Sequence, residues 1–188
     1  MEINEPADQV VMLEVQDGAV EKLSILFERH HRMLFHFFQR MTSNPTLSED
    51  LVQEVFLRVL RFRHTFRGES QFTTWMYQIA RNAAMDHFRK RKNEKSWDEE
   101  DMEEPVSQEP GHADKMEQDE ETILLREALS RLPAEKRELL ILSRYQGLKY
   151  EQIAGILSTN VATVKVRVYR AVKELGEIFF RLQKVRAS

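Results

Sequence analysis

The amino-acid sequence predicts an all-α chain of two small helical domains joined by an acidic linker. Three observations carry that reading. Large apolar residues recur three and four positions apart over most of the chain, the period of helices with one buried face. Residues 98–122 (DEEDMEEPVSQEPGHADKMEQDEET) hold twelve acids and one lysine, a local charge of −11 in a chain of net charge −3, so the remainder carries +8. The one strand-like passage, VATVKVRVYRAV from Val161 to Val172, alternates only in its middle, while a helical period runs through all of it. The 188 residues are enough for one or two small domains with a real core.

Taken in order, residues 1–17 read as an N-terminal tail, whose first residues (MEINEPADQVV) are acidic, unlike a signal peptide. The first domain is expected over 18–96. Val20, Leu23, Leu26, Phe27, Met33, Leu34, Phe37 and Phe38 recur at helical spacing as core material. A turn at Asn44-Pro45 precedes SEDLVQEVFLRVLRF, where Ser48 is a candidate cap with Glu49 and Asp50 in the first turn. The apolar face of this helix is Val52, Val55, Phe56, Val59 and Leu60. Its opposite face carries Asp50, Gln53, Glu54, Leu57, Arg58 and Arg61. A lone exposed leucine is ordinary, but one ringed by charge also suits docking.

The polar break RGES around Gly68 is expected as a loop. From Phe72, the residues Trp75, Met76, Ile79, Ala80 and Ala83 mark a helix that runs into Arg89-Lys90-Arg91-Lys92. Here Phe66, Phe72, Trp75, Tyr77 and Phe88 are interleaved with Arg67, Arg81, Arg89 and Lys90. Rings that stack on bases beside cations that hold phosphates suit single-stranded nucleic acid. Composition alone leaves open a helix with an aromatic core side and a solvated basic side.

Residues 97–121 form the acidic linker: two of the five prolines fall there and few large apolar residues, too little to offset ordering entropy. The second domain is expected over 122–182, with a short tail at 183–188. Leu124, Leu125, Ala128, Leu129 and Leu132 make one amphipathic helix, stopped by Pro133. AEKRELLILSRYQG makes another, with Gly147 at its end. LKYEQIAGIL is a short helix, STN a turn, and VATVKVRVYRAVKELGEIFFRLQKV a longer helix: a helix-turn-helix, whose second helix enters the major groove. On a wheel Val161, Val164, Val168, Ala171, Val172 and Leu175 gather within about a third of the circle. Thr163, Lys165, Val166, Tyr169, Arg170 and Lys173 fall opposite, with Arg167 at the edge.

Several classes fall away. Without cysteine there are no disulfides or thiolate metal sites. No apolar run approaches 18 residues, so membrane insertion is not expected and a cytoplasmic location is. His30, His31 and His36 lack i, i+4 ligand spacing, and no phosphate-binding glycine loop occurs. No enzyme activity, metal or cofactor is expected.

DLVQEVFLRVLRF resembles the polymerase-binding helix of the extracytoplasmic-function (ECF) sigma factors of the sigma-70 family, promoter-specificity subunits of bacterial RNA polymerase. FRGESQFTTWMYQIARNAAMDHFRKRK resembles that family's −10-recognition and melting segment. LSRLPAEKRELLILSRYQGLKYEQIAGILSTNVATVKVRVYRAVKEL resembles its −35-reading domain. Each motif is modest alone; the ordered set is specific.

The resemblance implies that Asp50, Gln53, Glu54 and Leu57 dock on the clamp helices of the polymerase's largest subunit, and that the second domain meets the flap. It implies that the Phe66–Phe72 loop, including Arg67, captures a flipped −10 base, that Asn82 contacts a base, and that Arg81, Arg89 and Lys90 hold phosphates. Lys165, Val166, Tyr169 and Arg170 align with −35 base-reading positions, while Tyr150, Thr163 and Arg167 suit backbone contacts. The implied partners are core RNA polymerase, promoter DNA and an anti-sigma factor. The family often has glycine at Ala162 and a small polar residue at Val166. A valine cannot donate a hydrogen bond, but its methyls could pack on a thymine methyl, and a plain surface valine is the equal alternative. A stand-alone duplex-binding regulator is the other class considered, though it has no use for base-stacking aromatics. A structural adaptor leaves both basic helices unexplained.

Overall fold

The computed structural model describes residues 6–95 and 120–186. Among these every regular element is helical. The described residues divide into two compact units, 6–36 with 46–95 and 120–186 with 37–45. The acidic linker lies outside the described residues except at its last positions.

The first unit begins earlier than its sequence suggests. Residues expected as a tail form α1 (Asp8–Gln16), with Val11, Met12 and Val15 fully buried. The helix closes through Gly18, whose φ of +117° lets its N–H reach the Val15 carbonyl while the Ala19 N–H reaches that of Glu14. A 3-10 turn, Val20–Lys22, leads into α2 (Leu23–Thr42). Val20 is exposed there, whereas Leu26 and Leu34 are buried as expected; Phe37 and Phe38, also buried, lie on the part of α2 that belongs to the second unit. Helix α3 (Pro45–Arg61) starts at its proline, so Ser48 is an interior, fully buried residue and not the cap. Proline at the first helical position has its φ preset and lacks only an N–H that would have had no helical partner. Leu51, Val52, Val55, Phe56 and Val59 face inward, and Phe56 meets Phe27 of α2 edge-on at 4.9 Å. After the turn Arg63–Thr65, α4 (Phe72–Lys95) buries Phe72, Met76, Tyr77, Ile79, Ala80, Ala83 and Ala84. Burial pushes the Tyr77 hydroxyl's pKa well up, so it stays neutral.

The second unit contains α5 (Glu120–Ser130), α6 (Ala134–Leu140) with a π-helical turn Ile141–Tyr145, α7 (Tyr150–Ile156) and α8 (Val161–Arg186). The guanidinium of Arg137 on α6 donates to the carbonyls of Leu129 (3.0 Å), Leu132 (3.0 Å) and Ser130, satisfying acceptors at the end of α5. Burial draws its pKa down from the usual arginine value. Gly147, at φ +62°, ends the α6 segment as expected, and the Leu148 N–H returns to the Leu142 carbonyl. Helices α5, α6 and α7 all pack on α8. Its far half joins Leu175, Ile178, Phe179 and Leu182 to Leu124 and Ala128 of α5, and Arg186 reaches Glu127 at 3.1 Å, so the helix continues into the expected tail.

The four-residue turn between α7 and α8, Leu157 to Asn160, is tightly specified. Ser158 takes a left-handed φ of 50°, with its N–H on the Gly155 carbonyl and that of Thr159 on the Ala154 carbonyl. Asn160 then caps α8, its Oδ1 accepting the Thr163 N–H at 2.8 Å. Asn160→Ala should lower the stability of the second unit by about 1 kcal/mol. Ser158→Gly should raise it by up to about 1 kcal/mol, because glycine meets positive φ without a Cβ penalty. Urea unfolding followed by circular dichroism measures both.

Candidate nucleic-acid interface

Helix α8 answers the alternation in its sequence. Val164, Val168 and Ala171 are buried against the unit, and Val161 is half-buried. Lys165, Val166, Arg167, Tyr169 and Arg170 are exposed, Val166 at 49% and Tyr169 at 72%. Val172, expected inside, is 43% exposed: its wheel position is at the edge of the stripe, while Leu175 beyond it packs on the cluster of Leu124, Ala128 and Leu182. Thr163 is half-buried in the first turn. With Ala162, Val166, Arg167 and Arg170 it lines a shallow concavity. Tyr150 is half-buried at the start of α7, where the Gln152 side chain accepts the preceding Lys149 N–H at 2.9 Å. One helix surface thus offers cations, a phenol and valine methyls without a buried carboxylate among them, a surface suited to phosphates and base edges.

In the first unit, Asp50, Gln53 and Leu57 are exposed along α3, Leu57 at 63%. Glu54 shares this face, but its carboxylate accepts from Arg58 Nε at 2.6 Å, and Arg58 also reaches Asp86 of α4 at 3.0 Å. Hydrogen bonding to Glu54, backed by Asp86, holds the Arg58 pKa above its usual value despite partial burial. The pair of bonds ties α3 to α4, so Glu54 is committed to a structural partner as well as to the surface.

The aromatic segment differs from its expectation. Phe66 and Phe72 are 2% and 1% exposed. Phe72 lies 5.3 Å from the His30 ring, and Phe66 lies 5.3 Å from Trp75, ring centre to ring centre. They are core anchors at the two ends of a loop and cannot stack on a base without leaving the core. What they hold out is Arg67 to Gln71, all exposed, closed by the Ser70 N–H and hydroxyl on the Arg67 carbonyl at 3.0 Å each. On α4, Asn82, Arg89 and Lys90 are exposed and Arg81 is half-buried. Arg89 sits 4.0 Å from Asp86. The side chains of Arg91 and Lys92 lie outside the described residues.

Sequence reasoning missed the residues of α1. Their signal was present, since Val11 and Val15 stand one helical turn apart with Met12 between them, but acidic flanks and a terminal position masked it. Among the described residues no group of histidine and acidic side chains could hold a metal ion, and no helix is long and apolar enough to cross a membrane.

Against this geometry, the chain matches the family model of Sigma-70 region 2 over residues 26–94 and that of Sigma-70, region 4 over residues 122–175. It is 31% identical to RNA polymerase sigma factor CarQ of Myxococcus xanthus over 169 residues, 89% of this chain and 95% of that protein. It is 31% identical to the ECF RNA polymerase sigma-E factor of Escherichia coli (strain K12) over 172 residues, 87% of this chain and 90% of that one. Among solved structures it is similar to the sigma factor RpoE in complex with the anti-sigma factor NepR from Bartonella quintana. There the TM-score is 0.69 and the identity 27%, covering 82% of this chain and 94% of that one.

The division between anchor and surface is measurable without any ligand. Phe72→Ala should cost about 3–5 kcal/mol of stability. Leu57→Asp should stay within about 0.5 kcal/mol of the parent. Thermal and urea unfolding of the full chain separate the two, and a near-neutral Phe72→Ala would return that ring to the surface.

Proposed function

The chain belongs to the ECF sigma factors of the sigma-70 family and directs transcription; from that premise we propose that it binds core RNA polymerase and starts transcription at specific promoters, reading −10 and −35 elements and aiding their melting. The observation that carries the reading is the division of α8, with Val164, Val168 and Ala171 inside and Lys165, Val166, Arg167, Tyr169 and Arg170 outside. In a major groove, Lys165, Val166, Tyr169 and Arg170 would meet base edges, and Thr163, Arg167 and Tyr150 the backbone.

The first unit supplies the other two surfaces. The exposed row Asp50, Gln53, Leu57, with Glu54 beside it, is suited to the clamp helices of the polymerase's largest subunit: an apolar anchor inside a polar rim. The Arg67–Gln71 loop, and not the rings that anchor it, is the part we assign to capture of a flipped −10 base, with Asn82 contacting a base and Arg81, Arg89 and Lys90 on phosphates. Extrusion costs a few kcal/mol, recovered by contacts to the freed base. We further propose the polymerase flap as the dock for the second unit, a cytoplasmic site of action, and an anti-sigma protein as the regulator, by analogy with the complex of RpoE and NepR. The functional limits remain 18–96 and 122–182, extended by α1 and by the last turn of α8. Transcription of a genomic library with core polymerase, followed by mapping of start sites, tests the whole reading. A chain that binds promoter duplex specifically without polymerase would instead be a stand-alone regulator.

Two substitutions test the surfaces separately. Leu57→Asp should weaken binding to core polymerase by about 100-fold or more while helical content is unchanged, since loss of a central anchor commonly costs several kcal/mol. Unaltered affinity would remove this face from the account.

On α8, Val166→Ser should shift the preference at one −35 base pair by about 1–3 kcal/mol and leave the salt dependence alone. Arg167→Ala should weaken every sequence alike and reduce the salt slope by about one. A randomised −35 library transcribed at several salt concentrations distinguishes them. An unshifted preference in Val166→Ser makes that valine plain surface.

A further inference from the structure

We propose that α1 is the positioning element of the −10 loop and acts through Gln16 and Leu13. Gln16 Nε2 donates to the carbonyl of Phe66, the residue from which the loop departs, at 3.2 Å. A Cβ built on Gly68 would lie 3.3 Å from Leu13 Cδ1, so the loop backbone rests directly on that leucine. Leu13 and Gln16 are three positions apart on α1, at the border of its buried face: Leu13 is 38% exposed and Gln16 half-buried, one turn on from the buried Met12. Helix α1 packs on the turn Arg63–Thr65 and on α4, the elements that flank the loop.

The support is itself fixed. The Asp8 carboxylate accepts from Arg29 at 2.8 Å and stands 2.7 Å from Nε2 of the buried His30, both on α2. Glu14 pairs with Lys22 at 2.6 Å. Residues 67–71, by contrast, are all exposed and place no side chain in the core. Their backbone is held by the turn at Ser70, by the Gln71 carbonyl, which accepts the Thr74 and Trp75 N–H groups of α4, by the phenylalanines at each end, and by α1. Moving the Phe66 carbonyl or the Gly68 backbone moves every group the loop presents. Helix α1 therefore tunes capture of a −10 base without touching nucleic acid.

This inference rests on the reading of the loop as the base-capturing part, and the experiment keeps the two apart. The full chain with core polymerase is titrated with fluorescent single-stranded oligonucleotides carrying the −10 element of a promoter mapped as above, intact or made abasic at each position in turn. The parent should lose about tenfold or more at one position, the value of one captured base. Gln16→Glu keeps the size of the side chain but removes the donor. It should bind the intact strand about three- to tenfold more weakly and the abasic strand as the parent does. Gln16→Arg, which keeps an N–H donor, should discriminate within about twofold of the parent. Leu13→Ala is the second variant, with the same pattern expected, and thermal unfolding of each variant reports on the fold. Equal weakening on both strands would mean that α1 only maintains the fold, and parental behaviour on both would mean that it does not touch the loop; either overturns the inference. A parent that discriminates at no position overturns the base-capture reading, and the inference with it.

Discussion

The burial of Val164, Val168 and Ala171 is the constraint from which the second unit follows. These side chains are one turn or two apart on α8, and α6 and α7 pack over them. Once they are inside, the helical period leaves no freedom about which neighbours are outside. The turn before α8 serves the same end: Ser158 accepts a left-handed backbone and Asn160 caps the first turn, so the helix starts at a fixed rotation. Arg137 secures the opposite side by filling the carbonyls that α5 leaves open. A helix presents a fixed outer surface only when its inner side cannot rotate.

The first unit solves a harder version of this problem, because part of the surface proposed to act is a loop. A loop has no period to orient it. The aromatic residues are used as internal fixings: Phe66 and Phe72 share a ring cluster with His30 and Trp75, and five exposed residues are suspended between them. The α3 face needs less support, since it is the outer side of a helix with Leu51, Val52, Val55, Phe56 and Val59 inside. Glu54, Arg58 and Asp86 set the distance between α3 and α4. Exposed pairs of this kind add little stability, but they restrict how the two helices slide.

Where a periodic pattern spanned a whole helix, the sequence was legible. The wheel of α8 separated Val164 from Val166, two residues of one type and opposite fate, and the α3 wheel put Leu57 outside. Errors came where periodicity stops. Composition in a loop says that rings and cations coexist, not which of them face inward, so it leaves open whether Phe66 and Phe72 are core or surface, and the structure buries both. At Pro45 the turn signal outweighed the rule that proline opens helices, and Ser48 was read as a cap. Val172 lies at the edge of its stripe, where the identity of the packing partner decides burial and only the tertiary structure supplies it. The contacts of Gln16 and Leu13 join residues about fifty positions apart, which no local pattern records.

The valine between two cations can then be understood through its stiffness. The three valines of VKVRVYR sacrifice some intrinsic helix propensity, a few tenths of a kcal/mol each against alanine, which packing of Val164 and Val168 readily offsets. Val166 gains no such packing, yet a helical valine keeps essentially one χ1 rotamer. Its two methyls therefore stand in fixed positions on the outer face. Lys165 and Arg167 lie on either side with long, freely rotating stems, and holding either in a single pose costs up to about 2 kcal/mol of side-chain entropy. Within VKVRVYR the cations can follow phosphates of varied geometry, while the valine and the two-torsion side chain of Tyr169 present rigid shapes. With α8 in a major groove, rigid groups discriminate between base pairs and flexible ones supply sequence-blind attraction. The alternation that imitates a strand is thus a helix interleaving stiff side chains with adaptable ones.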